Sequence, residues 1–249
     1  MRNSKLIYNE SFEYEGSAIA IKVHADAMTG HRYSLRGHRL TIRLSAIGLT
    51  VAIIISHIEK AKVWAISEID KSPKLQTSVA QPEYTDGQIL TVGEHQYTLT
   101  IHKDAPNYHR VQRNGTNIVL HINANDTPNG IRMAYTTLLS RMIAGHQAPE
   151  FIRRVHEINQ LYFKLPLADI KFKYNTSNWG SCSYRGNLNF STRLLFAPQI
   201  VKDSVIIHEL AHRIEMNHGE RFWAIVAKYD PNYLAHDAFL KAHSHLYKW

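Results

Sequence analysis

The first part of the chain alternates apolar and polar positions in a way that predicts paired strands. Residues 18–23 and 40–44 alternate with a period of two, which is typical of strands with one buried face. Between Thr50 and Asp70 the apolar residues recur at helical spacing, and Thr50 is a suitable N-cap. Residues 72–82 carry a proline near each end, and we expect a loop there.

Two hairpins are predicted further along the chain. The strand pairs and their turn residues are 88–92 and 95–101 around Gly93, and 108–112 and 117–122 around Asn114-Gly115. Asn-Gly is a strong hairpin signal because both residues tolerate the left-handed backbone of a tight turn.

The pattern becomes helical after residue 128. We predict two helices up to residue 165, the second with Pro149 in its first turn. Their apolar positions are Met133, Leu138 and Met142 on the first and Phe151, Val155, Ile158 and Leu161 on the second. A short strand over residues 171–174 and a hairpin of residues 181–184 and 187–191 then precede three helices that begin near residues 198, 219 and 233.

These elements predict an α+β protein in two parts. Residues 1–127 form a β-rich N-terminal region with one helix, and residues 128–249 form a mainly helical domain with a small antiparallel sheet. A change from strand to helical periodicity near residues 126–130 sets this boundary.

Composition places the chain among globular proteins of a reducing compartment. Hydrophobic residues make up 44% of the chain and charged residues 20%, and its one cysteine cannot form an internal disulfide. We find no signal peptide and no apolar stretch long enough to cross a bilayer, so we expect a cytoplasmic protein without a membrane partner. The net charge of +8 is compatible with nucleic acid, but the basic residues are scattered along the sequence and do not indicate such a partner.

The strongest chemical signal is the motif His208-Glu209-x-x-His212. Positions i and i+4 share one helical face, so the two histidines can hold one metal ion, and the glutamate between them can act on a metal-bound water. Apolar residues before and within the motif predict a helix buried in the core. A zinc hydrolase with Glu209 as general base follows from this arrangement.

Three residues compete for the place of the third ligand. Glu215 lies on the face of His208, but seven residues rise about 10.5 Å along a helix, which is too far to share one ion. His218 reaches the metal if the helix ends near Met216 and the chain turns. Cys182 is a rival, because a cysteine with His-Glu-x-x-His also forms a known hydrolase set.

Several separate motifs together resemble the YgjP-like metallopeptidases, which are similar to the SprT and WLM zinc proteases. The motifs are Trp179-Gly-Ser-Cys-Ser183, Leu194-x-x-Ala-Pro198, the histidine motif, Asn217-His218 and Phe222-Trp223. The resemblance covers most of the chain. It implies a zincin-like domain with one Zn²⁺ ion held by His208, His212 and His218, and Glu209 as the catalytic base.

The resemblance also implies a peptide or protein substrate. The strand over residues 187–191 would line the cleft, and a peptide would add to its edge. Asn187, Asn189 and Tyr233 are the substrate-binding candidates. Tyr229, Tyr233 and His236 lie downstream of the ligands as candidates for stabilising the oxyanion. Two other functions stay open: a zinc amidase or deformylase, and a non-catalytic module that keeps zinc for structure and associates with nucleic acid.

Overall fold

A computed structural model describes residues 4–15, 17–80, 82–104 and 107–249. The chain forms two compact units, Met1–Pro82 and Glu83–Trp249. Sheets and helices occur in both, so the architecture is α+β as predicted. No helix in the described ranges is long and apolar enough to cross a membrane.

The first unit is a four-stranded sheet with helices after it. Its elements are β1 (Lys5–Tyr14), β2 (Ser17–Asp26), β3 (His31–Arg36), β4 (Arg39–Ser45), α1 (Val51–Lys71) and α2 (Pro73–Val79), with the strands in the order β1-β2-β4-β3. Alternate residues of β2 and β4, such as Ile21 and Ile42, are fully buried in one core with Ala61 and Ala65 of α1.

Helix ends in this unit follow local capping chemistry. The side chain of Thr50 accepts a hydrogen bond from the Ile53 backbone N–H at the start of α1, as predicted. The prediction of a loop over residues 72–82 was wrong, because Ser72 caps α2 in the same way and Pro73 occupies the first turn, where no N–H is needed. Gln81 of that predicted loop lies outside the described residues.

The second unit begins with both predicted hairpins. They are β5 (Ile89–Val92) with β6 (His95–His102) and β7 (Arg110–Asn114) with β8 (Asn117–His121), in a sheet of order β5-β6-β8-β7. Gly93 and Gly115 have positive φ angles of 64° and 62° at the two turns, where glycine is the residue least strained.

One long helix, α3 (Pro128–Ile158), packs against this sheet. The prediction of two helices was wrong, because Pro149 lies inside α3 rather than at a helix start. Buried residues continue at four-residue intervals through the proline: Leu139, Ile143, Gln147, Phe151 and Val155. The shared core therefore maintains the helix despite the missing N–H of Pro149. Since that core also includes β5–β8, the second unit begins at Glu83, well before the boundary predicted after residue 127.

The remaining elements include a small sheet and three helices. They are β9 (Ile170–Lys173), β10 (Gly180–Cys182), β11 (Leu188–Ser191), α4 (Gln199–Ala211), α5 (Glu220–Tyr229) and α6 (Tyr233–His243). The strand order is β10-β11-β9, with β10 antiparallel and β9 parallel to β11. The prediction of an antiparallel sheet was therefore wrong. The sheet is mixed, because β9 pairs with β11 of the predicted hairpin in the parallel direction.

Candidate metal centre

Helix α4 presents the first two residues of the motif. Ile206 and Leu210 are fully buried in the core of the second unit, which fixes the rotation of the helix and places His208 at its border with α5. The helix ends at Ala211, and His212 is its C-cap. This end is one turn earlier than predicted, since the Ala211 carbonyl accepts hydrogen bonds from the backbone N–H groups of Ile214 and Glu215 in a turn.

The chain then turns and brings a third histidine to the first two. Nε2 of His218 lies 3.2 Å from Nε2 of His208, and one ring nitrogen from each of His208, His212 and His218 forms a cluster that could hold a metal ion. This is the same set that the resemblance implies. In the described part of the chain, neither Glu215 nor Cys182 belongs to such a cluster.

The two rival ligands have other roles. Glu215 contributes its backbone carbonyl, which lies 3.2 Å from Nδ1 of His212. Burial raises the pKa of the Cys182 thiol to about 11, so the thiol is protonated when no ion is bound. That thiol donates a long hydrogen bond to the Ser183 carbonyl instead.

Two histidines of the cluster, His208 and His212, have the neutral state that metal binding needs. Burial lowers the pKa of His208 to about 4, with further lowering from His212 and His218, and burial also lowers the pKa of His212. Both rings are therefore neutral near pH 7. A proton on Nδ1 of His212 is satisfied by the Glu215 carbonyl, which leaves Nε2 free as the ligand atom. Three imidazole nitrogens fit a zinc ion, which accepts nitrogen ligands and keeps one position open in catalytic sites.

Aromatic side chains fix the positions of the histidine rings. Phe222 is fully buried on α5. The centroid of its ring lies 4.9, 4.4 and 4.7 Å from the ring centroids of His208, His212 and His218, respectively. Trp223 stacks on His218 at 5.7 Å. Tyr233 stacks on Trp223 at 5.2 Å in turn, so it lies one ring away from the cluster.

Glu209 is buried beside strand β10. It is 4% exposed, its Oε2 has no hydrogen-bond partner among the described residues, and burial raises its pKa to about 8. A Cβ atom on Gly180 would lie 2.5 Å from Oε1 of Glu209. This contact was not predicted, although Gly180 belongs to the Trp179-Gly-Ser-Cys-Ser183 motif.

The structure assigns packing roles to several of the other candidates. His236 pairs with the buried Asp230 at 2.9 Å, and Tyr229 stacks on Tyr162. Asn187 donates from Nδ2 to the Ser183 hydroxyl and accepts from the Asp169 backbone N–H through Oδ1, so its side chain holds a turn.

Strand β11, which contains Asn189, lies in the middle of its sheet. The expectation that a peptide adds to its edge was wrong, because both edges are already paired. Among the described residues, β10 and β9 are the edge strands of this sheet, and β10 is the one that contains Gly180.

Comparison with known proteins agrees with this site. A family model described as a YgjP-like, metallopeptidase domain matches residues 31–243, which include most of the chain and all of the histidine cluster. The chain therefore belongs to the YgjP-like metallopeptidase family.

Comparison with solved structures adds a distant likeness. The metallopeptidase zymogen of Pyrococcus abyssi abylysin is 16% identical, with 37% of this chain and 93% of that chain covered and a TM-score of 0.34. No match was found among curated proteins.

Proposed function

We propose that this protein is a zinc-dependent peptidase in which Glu209 is the general base. The observation that carries the proposal is the convergence of His208, His212 and His218 on one point, next in sequence to a buried carboxylate. Structural zinc sites are usually closed by four protein ligands, often cysteines. Three imidazoles with an adjacent glutamate are typical of catalytic sites.

Glu209 would move the protons of the reaction. When bound, the zinc ion supplies Lewis acidity toward water and the scissile carbonyl. Glu209 takes one proton from the attacking water and passes it to the amine that leaves when the C–N bond breaks. Burial raises the pKa of Glu209 to about 8, which without a nearby positive charge would leave the carboxyl mostly protonated at neutral pH. A zinc ion held by the adjacent histidines would favour the ionised form that a general base requires.

A peptide substrate is favoured by the strand beside Glu209. Gly180 of β10 lies next to Glu209, and β10 is an edge strand of its sheet. An extended peptide that adds to β10 through backbone hydrogen bonds would therefore run past the carboxylate. Tyr233 is the proposed donor to the oxyanion, since it stacks on Trp223, which itself stacks on His218.

A peptide-library cleavage assay on wild type and Glu209→Gln tests the proposal. We expect the variant to bind one zinc ion and to lose roughly 10²–10⁴-fold in kcat. Chelation should abolish wild-type activity, and zinc should restore it. Glu220→Gln, at an exposed position, is the matched control and should retain activity. Undiminished cleavage by Glu209→Gln would rule out the mechanism, and cleavage confined to formylated or terminal amides would favour an amidase.

A further inference from the structure

The sheet of the first unit has one apolar face and one basic face. Successive side chains of a strand point to opposite faces, and residues such as Ile21, Ile42 and Leu44 face the core with α1. The alternate positions therefore lie on the opposite face. They include Lys22 on β2, Arg32 and Arg36 on β3, and Arg39 and Arg43 on β4, and the only carboxylates at the alternate positions of the described strands are Glu13 on β1 and Asp26 on β2.

Arginines lie directly opposite one another on this face. Arg32 is paired in register with Arg43, and Arg36 with Arg39. Like charges in directly opposed positions destabilise a sheet. Asp26 partly offsets this for Arg43, since its carboxylate lies 2.7 Å from the guanidinium. Within the described ranges, Arg32, Arg36 and Arg39 have no acidic partner, and all three are exposed.

Protection of the sheet edge does not account for the arrangement. Charged side chains on an edge strand discourage pairing with other chains, and β3 is such a strand. However, β4 lies inside the sheet between β2 and β3, and it carries Arg39 and Arg43. The charges therefore extend across the face instead of following its border.

Two short hydroxyl side chains separate the arginine pairs of β3 and β4. Ser34 and Thr41 are opposed there, Lys22 of β2 pairs with Thr41, and Ala20 pairs with Arg39. Arg32 and Arg36 are separated by roughly 13 Å along β3. No Phe, Tyr or Trp is among these residues, so the face lacks the stacking platforms that bind single-stranded nucleic acids.

We propose that this basic sheet face binds the sugar-phosphate backbone of a nucleic acid duplex. Guanidinium groups match phosphate oxygens in geometry and charge. A regular row of phosphates would replace the repulsion between opposed arginines with attraction. Because backbone contacts carry no direct sequence information, the binding is expected to be independent of sequence and strongly dependent on salt.

Fluorescence anisotropy with labelled 20-base-pair DNA and RNA duplexes of the same sequence tests this inference. The full chain should bind with a Kd of about 1–100 µM near physiological salt and more tightly at 50 mM. The variant Arg32→Gln/Arg36→Gln/Arg39→Gln should bind at least tenfold more weakly. It should also lose about 2–3 units from the slope of log K against log salt, since each phosphate contact contributes about 0.9.

A second triple variant separates this face from net charge. Arg141→Gln/Arg153→Gln/Arg185→Gln removes the same charge from exposed positions of the second unit, and its affinity should fall less than threefold. Peptide cleavage should be unchanged in both variants. If the first triple variant fails to fold, single Arg36→Gln and Arg39→Gln variants should each lower the salt slope by about one unit.

Three results would overturn the inference. They are no duplex binding by wild type at 50 mM salt, equal losses in the two triple variants, and binding to vesicles containing phosphatidylserine without binding to either duplex. The last result would assign the face to an anionic membrane surface.

Discussion

At the scale of single residues, the closest constraint in the candidate site involves Gly180 and Glu209. A methyl group on Gly180 would lie within 2.5–2.8 Å of three atoms of the Glu209 side chain. Contacts this short cannot form, so glycine at this position allows the carboxylate its place beside β10. The proposed base is therefore positioned by a residue 29 positions away that contributes no side chain.

We predict that Gly180→Ala displaces Glu209. The added methyl group should lower kcat at least tenfold, because small misplacements of a catalytic group are costly, while zinc content stays near one ion per chain. Gly145→Ala is the matched control, since its Cβ atom would meet nothing within 4 Å. Steady-state kinetics and metal analysis check both variants, and full activity of Gly180→Ala would refute the positioning role.

Lys202 is a second residue of interest, because its buried charge lowers the free energy of unfolding. It is 6% exposed, and burial lowers the pKa of its ammonium. A lysine whose folded-state pKa is depressed destabilises the fold below that pKa. The cost disappears as pH rises from there toward the unfolded value near 10.5.

We predict that Lys202→Met stabilises the protein by about 1–2 kcal/mol at pH 7, since a buried charge is replaced by apolar contacts. The advantage should shrink as the pH rises toward 10. Urea unfolding at pH 7, 8.5 and 10 measures it. Lys60→Met, at an exposed position of α1, should change the free energy of unfolding by less than about 0.5 kcal/mol. A difference that grows with pH would contradict the prediction.

At the scale of elements, Arg193 ties three segments of the second unit together. Its guanidinium donates to the backbone carbonyls of Tyr247, Ser244 and Thr176. It also lies 4.9 Å from the ring of Trp179. The segment after α6 is thereby fastened to the loop that precedes β10, so this arginine supports the strand next to Glu209 without touching the site.

We predict that Arg193→Lys lowers the free energy of unfolding by roughly 2–3 kcal/mol, because one ammonium cannot replace a fork of donors to three carbonyls. Arg185→Lys, at an exposed position, should stay within about 0.5 kcal/mol. Chemical denaturation compares the two. Equal stability of both variants would show that the hydrogen bonds of Arg193 contribute little.

Local signals predicted most elements, and long-range packing decided the rest. Gly93 and Asn114-Gly115 identified two hairpins because a tight turn needs particular residues. The continuation of α3 through Pro149 was not predictable, because it depends on buried residues before and after the proline that pack in one core. The sequence placed His208 and His212 on one face, but the turn that brings His218 to them and the contact with Gly180 depend on tertiary structure.

At the scale of the whole molecule, the two units have separate hydrophobic cores. The core of the first unit contains residues of β2, β4 and α1, and the main core of the second contains residues of β5, β6, β8, α3, α4 and α6. The second unit also has a small cluster in which Ala211 packs with Phe222 and Val226 of α5. No buried residue of the described chain belongs to both cores. The histidine cluster and Glu209 belong entirely to the second unit.

We predict that a fragment of residues 83–249 folds alone, binds one zinc ion and cleaves the peptides that the full chain cleaves. Its core is large enough to support a domain of this length. The fragment should unfold in one cooperative transition that zinc shifts to higher temperature. Calorimetry and metal analysis check this, with the full chain as reference. An unfolded or metal-free fragment would show that the first unit is required.

The contact of Phe222 with three histidine rings has a consequence for the order of events in biosynthesis. In small zinc-folded modules the ion acts as the template on which the chain organises. Here a fully buried phenyl ring on α5 holds the three imidazoles through ordinary packing. We therefore expect the chain to fold first and to bind its ion afterwards. A cell short of zinc would then accumulate folded, inactive protein that can still bind the ion.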